Sequence, residues 1–464
     1  MTRPASARAP LLLLGIGYLV FVVYGSLVPL DFRALPWDEA VARFSAIPFL
    51  DLGIGSRADW VANLLLFIPL AFFWTGILAQ GRGWLVGALA SGFVLAAAVA
   101  LSVGIEFTQL FFPQRTVSQN DIFAEALGGL LGVIAWWGVG ARVLAWHAGW
   151  SRARAPADLA GRLAWAYLVG VYAYNLLPLD LTISVVEIFH KWGEGKLVLL
   201  PFSSLPADPA LAVYEVVTDA LIWTPLALLW QARPGRGRWR AWRMVFLTAA
   251  LLEFLQLFVY SRVSDSTDLF TAALGAGLGA WLGARWFPAR AGAAAATARQ
   301  RPAPPWLPLL LALGWIGALM LVFWYPFDFR VERAFIEPRL EFFTRVPFIT
   351  YYYGTEFRAV TSVFQKVLFF APLGALLAWF VSGLPWLWRA WAASAAFLLI
   401  PAVALGIELG QVLLPEKFPD TTDWFLESLG GYLGYALFRM FRVRATATRR
   451  ADAGRRQRSS RLAG

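Results

Sequence analysis

The sequence predicts an all-α fold: a polytopic helical membrane protein with about twelve transmembrane helices, in three repeats of four with parallel orientation. Three observations lead to this prediction. The chain is 59% hydrophobic and 15% charged, with a mean hydropathy of +0.60, whereas globular domains are roughly 45–50% apolar. Apolar runs of bilayer-spanning length recur along the chain. One set of polar residues also returns three times, in the same order and at the same spacing.

Each third of the chain supplies four apolar segments that can cross a bilayer, which takes about 20 residues. In the first third they are 11–29, 60–78, 84–111 and 122–139. In the second third they are 163–177, 211–230, 245–259 and 269–286. In the third they are 307–324, 363–381, 390–414 and 424–438.

These segments divide the chain into three units of four spans. Unit 1 is residues 1–148, unit 2 is 163–286 and unit 3 is 306–440. Residues 149–162 and 287–305 are predicted cytoplasmic linkers, and 441–464 a basic cytoplasmic tail. The second linker contains an Ala run and several prolines, which is typical of a flexible connector.

The distribution of charge predicts the topology. With the N-terminus inside and alternating spans, most Lys and Arg fall on the inner side and nearly all Asp and Glu on the outer side. By the positive-inside rule both termini are then cytoplasmic. An even number of spans per unit makes all three units point the same way, around an axis along the membrane normal. The net charge of +11 is thus a topology signal, and we expect no nucleic-acid partner.

Composition also limits the chemistry. The chain has no Cys, which excludes disulfides and thiolate catalysis, and its two His do not support a His-based metal cluster. His147 and His190 are interpreted as ordinary loop residues. We therefore expect no metal and no cofactor, and no residue is assigned a catalytic role.

The repeated polar set begins with Glu-x-x-Gln near the end of each third span. A basic residue, an Asp and a Gly-x-x-x-Gly follow at fixed spacing. The charge distribution places the whole set at the outer end of the spans. Its members are Glu106, Gln109, Arg115, Asp121, Gly128 and Gly132 in unit 1; Glu253, Gln256, Arg262, Asp268, Gly275 and Gly279 in unit 2; and Glu408, Gln411, Lys417, Asp423, Gly430 and Gly434 in unit 3.

Further landmarks recur around this set. Each first span exits through Pro-x-Asp, each long outer loop contains an apolar residue followed by Pro-Phe, and each second span has an internal Pro with a polar residue six positions earlier. Arg follows the Pro-x-Asp in units 1 and 3, but Thr182 stands there in unit 2. The added candidate site residues are Asp31, Arg33, Asn63, Asp180, Asp219, Asp328, Arg330 and Lys366.

Each piece of the pattern has a structural interpretation. Gly-x-x-x-Gly lets another helix approach closely, and the Asp at the start of each fourth span is a candidate N-cap. Glu and Gln three positions apart share one helix face. They act either as an interhelical clamp, with Glu on a basic partner such as Arg33 or Arg115 and Gln on a free carbonyl, or as a polar pocket open to the outside.

These residues resemble the VanZ-like family of membrane proteins, and the chain looks like three tandem family units. The second-span Asn of the pattern is Asp219 in unit 2 and Lys366 in unit 3, so we do not expect the three units to be equivalent. A family Asn four residues after the Asp is here Glu125, Ala272 and Glu427. The best-matching unit carries the pattern on Asp59, Asn63, Phe67, Pro69, Glu106, Gln109, Pro113, Arg115, Asp121 and Gly128.

The resemblance implies a cell-envelope role at the outer face of a bacterial cytoplasmic membrane, because the founding member is linked to teicoplanin resistance. The expected partners are membrane lipids and an amphipathic ligand: a lipid-linked saccharide, a lipoteichoic-type lipid or a glycopeptide. A twelve-span secondary transporter, an intramembrane hydrolase or transferase and a purely structural scaffold stay open as alternatives. Sequence does not predict the oligomeric state.

Overall fold

A computed structural model describes residues 8–50, 53–152, 155–182, 184–233, 237–286, 304, 306–352 and 356–462. The N-terminal residues 1–7 and nearly all of the predicted second linker lie outside the described residues. Two residues of the predicted first linker, 153 and 154, lie outside them as well.

The described residues of unit 1 form four long helices and one short one. The short helix α2 lies in the loop between the first two long helices, and the second long helix contains Pro69. The fourth long helix continues well beyond the span predicted for it. The elements are α1 (Arg8–Leu27), α2 (Trp37–Ser45), α3 (Ile54–Ala79), α4 (Trp84–Gln109) and α5 (Gln119–Arg152).

Unit 2 repeats this order. Pro225 lies within its second long helix, and two-residue strands β1 (Leu197–Val198) and β2 (Ser264–Asp265) pair in parallel. The pairing fixes the loop between the first two long helices to the start of the fourth long helix. The helices are α6 (Pro156–Leu176), α7 (Val185–Gly193), α8 (Pro209–Gln231), α9 (Arg238–Gln256) and α10 (Ser266–Trp286).

Unit 3 has the same four long helices, with Pro372 within the second. Its last helix runs through the residues predicted as a basic tail. A 3₁₀ turn, Glu341–Thr344, follows its first short helix. The helices are α11 (Leu307–Trp324), α12 (Arg333–Leu340), α13 (Ile349–Tyr352), α14 (Glu356–Gly383), α15 (Trp386–Val412) and α16 (Thr421–Leu462).

The fold class is confirmed: the described chain is a helical membrane protein. Eight of its helices are long and apolar enough to cross a membrane, namely α1, α3, α4, α5, α8, α11, α14 and α15. Helices α6, α9, α10 and α16 take the remaining positions of the repeat. The count of twelve spans therefore stays a prediction.

The second and fourth long helices pack backbone to backbone at the Gly-x-x-x-Gly sequences. A Cβ added to Gly128 or Gly132 would lie 2.2 or 2.3 Å from the carbonyl oxygen of Leu64 or Ile68. The equivalent distances are 2.0 and 2.2 Å in unit 2, and 2.4 and 1.8 Å in unit 3. No Cβ fits at such distances, so only glycine allows this approach. The close contact predicted from the sequence is confirmed in all three units.

Each first long helix ends in the same sharp turn. Leu30, Leu179 and Phe327, which follow the Pro of Pro-x-Asp, have φ angles of 66°, 64° and 66°. This left-handed conformation is uncommon for bulky residues. The turn sends the chain back across the end of the bundle, where the backbone N–H of Arg33 donates to the carbonyl of Phe111. Unit 3 repeats that bond, from Arg330 to Leu413.

The units contact one another in all three pairings. Arg57 of unit 1 forms a two-pronged ion pair with Glu187 of unit 2, with N–O distances of 3.2 and 3.1 Å. Tyr24 of unit 1 donates to the carbonyl of Pro347 in unit 3 at 2.8 Å. Phe364 of unit 3 packs on a tyrosine ring of the first helix of unit 2, with ring centroids 5.1 Å apart. Each unit therefore contacts both of the others.

Candidate functional site

The start of the fourth long helix is capped by the residue three positions before the Asp of the repeated set, which we call the conserved Asp because all three units have it. Ser118 caps unit 1, where the backbone N–H of Asp121 donates to its hydroxyl at 3.2 Å. Asp265 and Asp420 accept from the N–H groups two residues later, at 2.7 and 2.8 Å. The prediction that the conserved Asp is itself the N-cap is therefore wrong: Asp121, Asp268 and Asp423 lie in the first turn.

The Glu of Glu-x-x-Gln holds this cap in place. Its carboxylate accepts from the backbone N–H of the capping residue in every unit: Glu106 from Ser118 at 3.1 Å, Glu253 from Asp265 at 3.0 Å and Glu408 from Asp420 at 2.9 Å. The predicted clamp between this Glu and Arg33 is not formed. Arg33 instead pairs with Asp31 at 3.5 Å at an exposed position.

The Gln behaves differently among the units. Gln109 donates to the carbonyl of Ser26 at 2.7 Å, and Gln256 donates to the carbonyl of Asn175 at 3.2 Å. Both bonds tie the third helix to the end of the first, as the clamp interpretation predicts. Gln411 instead donates to the carboxylate of Glu408 at 3.2 Å.

A half-buried pair of side chains, one from the second helix and one from the fourth, lies beside the conserved Glu. We call it the rim pair. In unit 1 it is Asn63 and Asp121, whose amide and carboxylate are hydrogen-bonded at 2.7 Å. Asp121 also accepts from the Ser118 hydroxyl at 2.8 Å. The rim carboxylate of unit 1 is thus held by two neutral donors.

The rim pair of unit 3 is an ion pair between Lys366 and Asp423. Both side chains are 13% exposed. Beneath them lie the fully buried Glu408 and Glu427, which are within hydrogen-bonding reach of each other. Neither carboxylate oxygen of Glu427 has a donor among the described residues. Lys366 is therefore the cation that balances a set of buried acids, as such charges require.

The rim pair of unit 2 is two carboxylates. Asp219 faces Asp268, and Glu215 and Asp265 are the other acids that act on it electrostatically. Asp265 itself binds the hydroxyl of Ser204. Unit 2 lacks the neutral amide of unit 1 and the lysine of unit 3 at this position, so its two rim acids repel each other when both are ionised. Asp268 also lies within hydrogen-bonding reach of the Glu253 carboxyl group.

Aromatic rings and an amide border the unit 2 rim. The phenol groups of Tyr174 and Tyr214 lie close enough to Asp219 to interact electrostatically with it. Gln365, which precedes the rim lysine of unit 3, is within hydrogen-bonding reach of Tyr174. Unit 3 therefore contributes a side chain to the surroundings of the unit 2 rim.

Several predicted site residues lie outside these clusters. Asp31, Arg33, Asp328 and Arg330 are exposed. Asp180 is buried, and its carboxylate accepts from the backbone N–H and hydroxyl of Ser261, at 2.9 and 2.8 Å. These residues shape or surround the outer loops and are not brought to the rim pairs.

The basic member of the set varies in its role. Arg262 is buried and donates to the carbonyl of Tyr174. Burial lowers the pKa of its guanidinium to about 10. Lys417 is half-buried and burial lowers its pKa, while Arg115 acts electrostatically on Glu106. All three units have a basic residue at this position, but its contacts differ from one unit to another.

Sequence reasoning missed two buried cations in the loops between the first and second long helices. Lys191 donates to the carbonyls of Gln256 and Val259, the latter at 2.8 Å. Arg339 donates to four carbonyls at the end of the third helix of unit 3, including that of Leu414 at 2.8 Å. Each side chain satisfies the free carbonyls of a helix C-terminus. Their signal in the sequence was a basic residue near the end of each short outer-loop helix.

A comparison with known protein families identifies the family. The VanZ/LLP1 family model matches residues 15–142, 164–287 and 312–442. The chain belongs to the VanZ/LLP1 family. Three tandem family units account for most of its length, and each contains one complete cluster of rim pair, conserved Glu and helix cap. Neither curated proteins nor solved structures give a match to the chain.

The VanZ/LLP1 units thus share one scaffold and differ in charge. The shared part is the Glu that binds the helix cap and the Gly-x-x-x-Gly contact. The variable part is the rim: amide with acid, acid with acid, and lysine with acid. Within the described ranges, no group of three His, Asp or Glu is arranged to hold a metal ion. The clusters therefore offer hydrogen-bond acceptors and charge.

Proposed function

We propose that this VanZ/LLP1 protein binds or moves an amphipathic ligand of the bacterial envelope at the outer face of the cytoplasmic membrane. The ligand is a lipid-linked saccharide, a lipoteichoic-type lipid or a glycopeptide, and the activity is linked to glycopeptide resistance. The observation that carries the proposal is the rim of unit 2, where two half-buried carboxylates face each other without a lysine or amide between them.

Carboxylates without a balancing partner are costly at membrane depth, and such residues are by default candidates for function. Ionised carboxylates only accept hydrogen bonds. Asp219 and Asp268 therefore suit a ligand that brings donors, such as sugar hydroxyls or an amine.

The neighbouring aromatic rings add to the fit. The phenol groups of Tyr174 and Tyr214 lie near Asp219, and tyrosine rings attract cationic groups such as amines. The helices around the rim expose apolar side chains such as Val213, Val217 and Leu274. The apolar part of an amphipathic ligand can therefore stay in the lipid while its polar part reaches the rim. Both ends of the ligand are thereby accommodated.

Mass spectrometry of the lipids that co-purify with the detergent-solubilised protein tests the proposal. We expect a saccharide- or amine-bearing amphiphile in the wild type that falls by about tenfold in Asp219→Asn, because hydrogen bonds to a charged group contribute about 1.5–3 kcal/mol. Asp31→Asn is the matched control, because it removes an exposed carboxylate outside the clusters.

Two results would count against the proposal. One is bulk phospholipid alone in every sample. The other is an equal loss of the amphiphile in the control and in Asp219→Asn. Glu106→Gln, which weakens the helix cap of unit 1, reports separately on whether unit 1 contributes to binding.

An intramembrane hydrolase or transferase acting on a lipid-linked substrate is the second candidate. It is favoured by the contact between Glu408 and Glu427, because two carboxyl groups in contact can divide acid and base roles. Turnover of a labelled lipid-linked precursor that is lost in Glu427→Gln, and in Asp121→Asn if unit 1 acts, would support this candidate. No turnover by the wild type would leave the binding function.

A further inference from the structure

An apolar groove opens in unit 1 between its first three long helices. Its volume is about 290 Å³, and every lining side chain is Leu, Val, Ala, Phe or Trp. Helices α1, α3 and α4 are all among the eight that can span a membrane. The groove therefore lies at the depth of the hydrocarbon. It is lined among others by Leu19, Leu70, Trp74, Leu78, Val94 and Leu101.

The groove is closed towards the rim pair. Above it, Val22, Phe67 and Ile105 are buried together in one cluster. Higher still, Gln109 donates to the carbonyl of Ser26 and joins the ends of α4 and α1. An occupant of the groove therefore does not reach the unit 1 rim, and its polar end must lie at the opposite end of the unit.

The third long helix of unit 1 has small side chains where it borders the groove. When the units are aligned on the Glu of Glu-x-x-Gln, Ala97 and Ala98 correspond to Met244 and Val245 in unit 2. In unit 3 they correspond to Leu399 and Ile400. Val245 and Ile400 are 1% and 0% exposed, whereas Met244 and Leu399 are 38% and 40% exposed. Unit 1 therefore carries the smaller side chain at both positions, and both of its alanines line the groove.

Two cations stand at the lower end of the groove. Leu78 lines the groove, and the carbonyl of Gln80, two residues later, accepts from the guanidinium of Arg8 at 2.9 Å. Arg82 follows in the same turn, and both arginines are exposed. The bond to Gln80 uses one of the five N–H groups of Arg8, which leaves donors for a second partner.

We propose that the groove and the two arginines form a binding site for one anionic phospholipid. An acyl chain lies in the groove, and the lipid phosphate contacts Arg8 and Arg82. Basic residues beside spanning helices attract anionic headgroups, and a hydrocarbon groove that ends at two guanidiniums matches both parts of such a lipid. This site is at the end of unit 1 opposite the rim and does not depend on the ligand proposed above.

Titration of the delipidated full-length protein with short-chain phosphatidylglycerol or phosphatidylcholine, followed by native mass spectrometry, tests the site. We expect one phosphatidylglycerol to bind about tenfold more tightly than phosphatidylcholine. Ala97→Leu enlarges a side chain that lines the groove and should weaken phosphatidylglycerol binding about tenfold. The double variant Arg8→Gln with Arg82→Gln should abolish the preference between the two lipids.

The matched control is Arg389→Gln, which removes an exposed arginine of unit 3 near its corresponding turn and should leave binding unchanged. The arginine variants change exposed side chains, so they keep the test valid even where Ala97→Leu disturbs folding. Equal binding of the two lipids by the wild type would overturn the proposal. So would a loss in Arg389→Gln as large as that in the double arginine variant.

Discussion

Units 2 and 3 place opposite charges at the same position of the same scaffold. Where unit 3 has Lys366 paired with Asp423, unit 2 has Asp219 facing Asp268. The helix cap, the Glu that binds it and the glycine contact are otherwise alike. The comparison teaches that the scaffold does not require a particular charge at the rim. In unit 3 a lysine balances the buried acids, whereas unit 2 has an aspartate at that position.

The largest expected effect is the loss of that internal balance. Lys366→Met should lower the free energy of unfolding by about 3–5 kcal/mol, because removing one partner leaves uncompensated buried carboxylates. SDS titration of the purified protein in mixed micelles measures it. Lys366→Asn recreates the amide–acid pair of unit 1 and should cost less than half as much. Equal effects of the two variants would show that the ion pair is not the source of stability.

The two buried loop cations should differ in their pH dependence. Burial lowers the pKa of Lys191 to about 8, below the unfolded value of about 10.4. The unfolded state therefore binds more protons between these values, and stability rises with pH across that window, by at most about 3 kcal/mol.

The unfolding free energies of the wild type, Lys191→Met and Arg339→Met at pH 7.5 to 10.5 measure this difference. The gap between wild type and Lys191→Met should change with pH, because the variant lacks the titrating group. The gap for Arg339→Met should stay constant, because arginine remains protonated. A constant gap for Lys191→Met would contradict the pKa assigned to this residue.

The glycine contact should be sensitive in each unit and most of all in unit 3. A Cβ at Gly434 would lie 1.8 Å from the carbonyl oxygen of Ala371, so Gly434→Ala should cost roughly 1–3 kcal/mol through overpacking. Gly277→Ala is the control, because nothing lies within 4 Å of its added Cβ, and it should be neutral or slightly stabilising. Similar losses at both sites would argue against the close helix contact.

The smallest effect concerns the sign of the rim charges. Asp219→Asn should stabilise unit 2 by roughly 1 kcal/mol, because it removes repulsion between two carboxylates. Asp423→Asn should destabilise the protein, because it leaves Lys366 without its ion-pair partner. Melting temperatures of the two variants measured side by side provide the check. Shifts in the same direction would mean that the two rims are not electrostatically opposite.

The sequence predicts the parts of this architecture that depend on local pattern. The apolar segments, the internal prolines and the glycine contacts of Gly128 and Gly275 follow from composition and spacing, and the structure confirms them. The bonds of Gln109 and Gln256 to carbonyls of the first helix were also predicted as one interpretation.

The rest depends on which atoms tertiary packing brings together. The spacing of Glu106 and Ser118 does not reveal that the carboxylate binds the backbone N–H of the cap, since both residues lie in one polar stretch. Assigning the cap to Asp121 was wrong because a hydroxyl three residues earlier competes for the same position. Nor does sequence show that Lys366 pairs with Asp423, because that pairing joins two helices far apart in the chain.

The most direct test of the central claim, that the unit 2 rim receives the ligand, is a fluorescence titration of the purified protein with teicoplanin. We predict saturable binding by the wild type, weakened about tenfold by Asp219→Asn, because a hydrogen bond to a charged acceptor is lost. Lys366→Asn, the matched change in unit 3, should alter the affinity by less than about twofold. No saturable binding by the wild type would remove the glycopeptide from the proposed ligands, and equal weakening by both variants would contradict the claim.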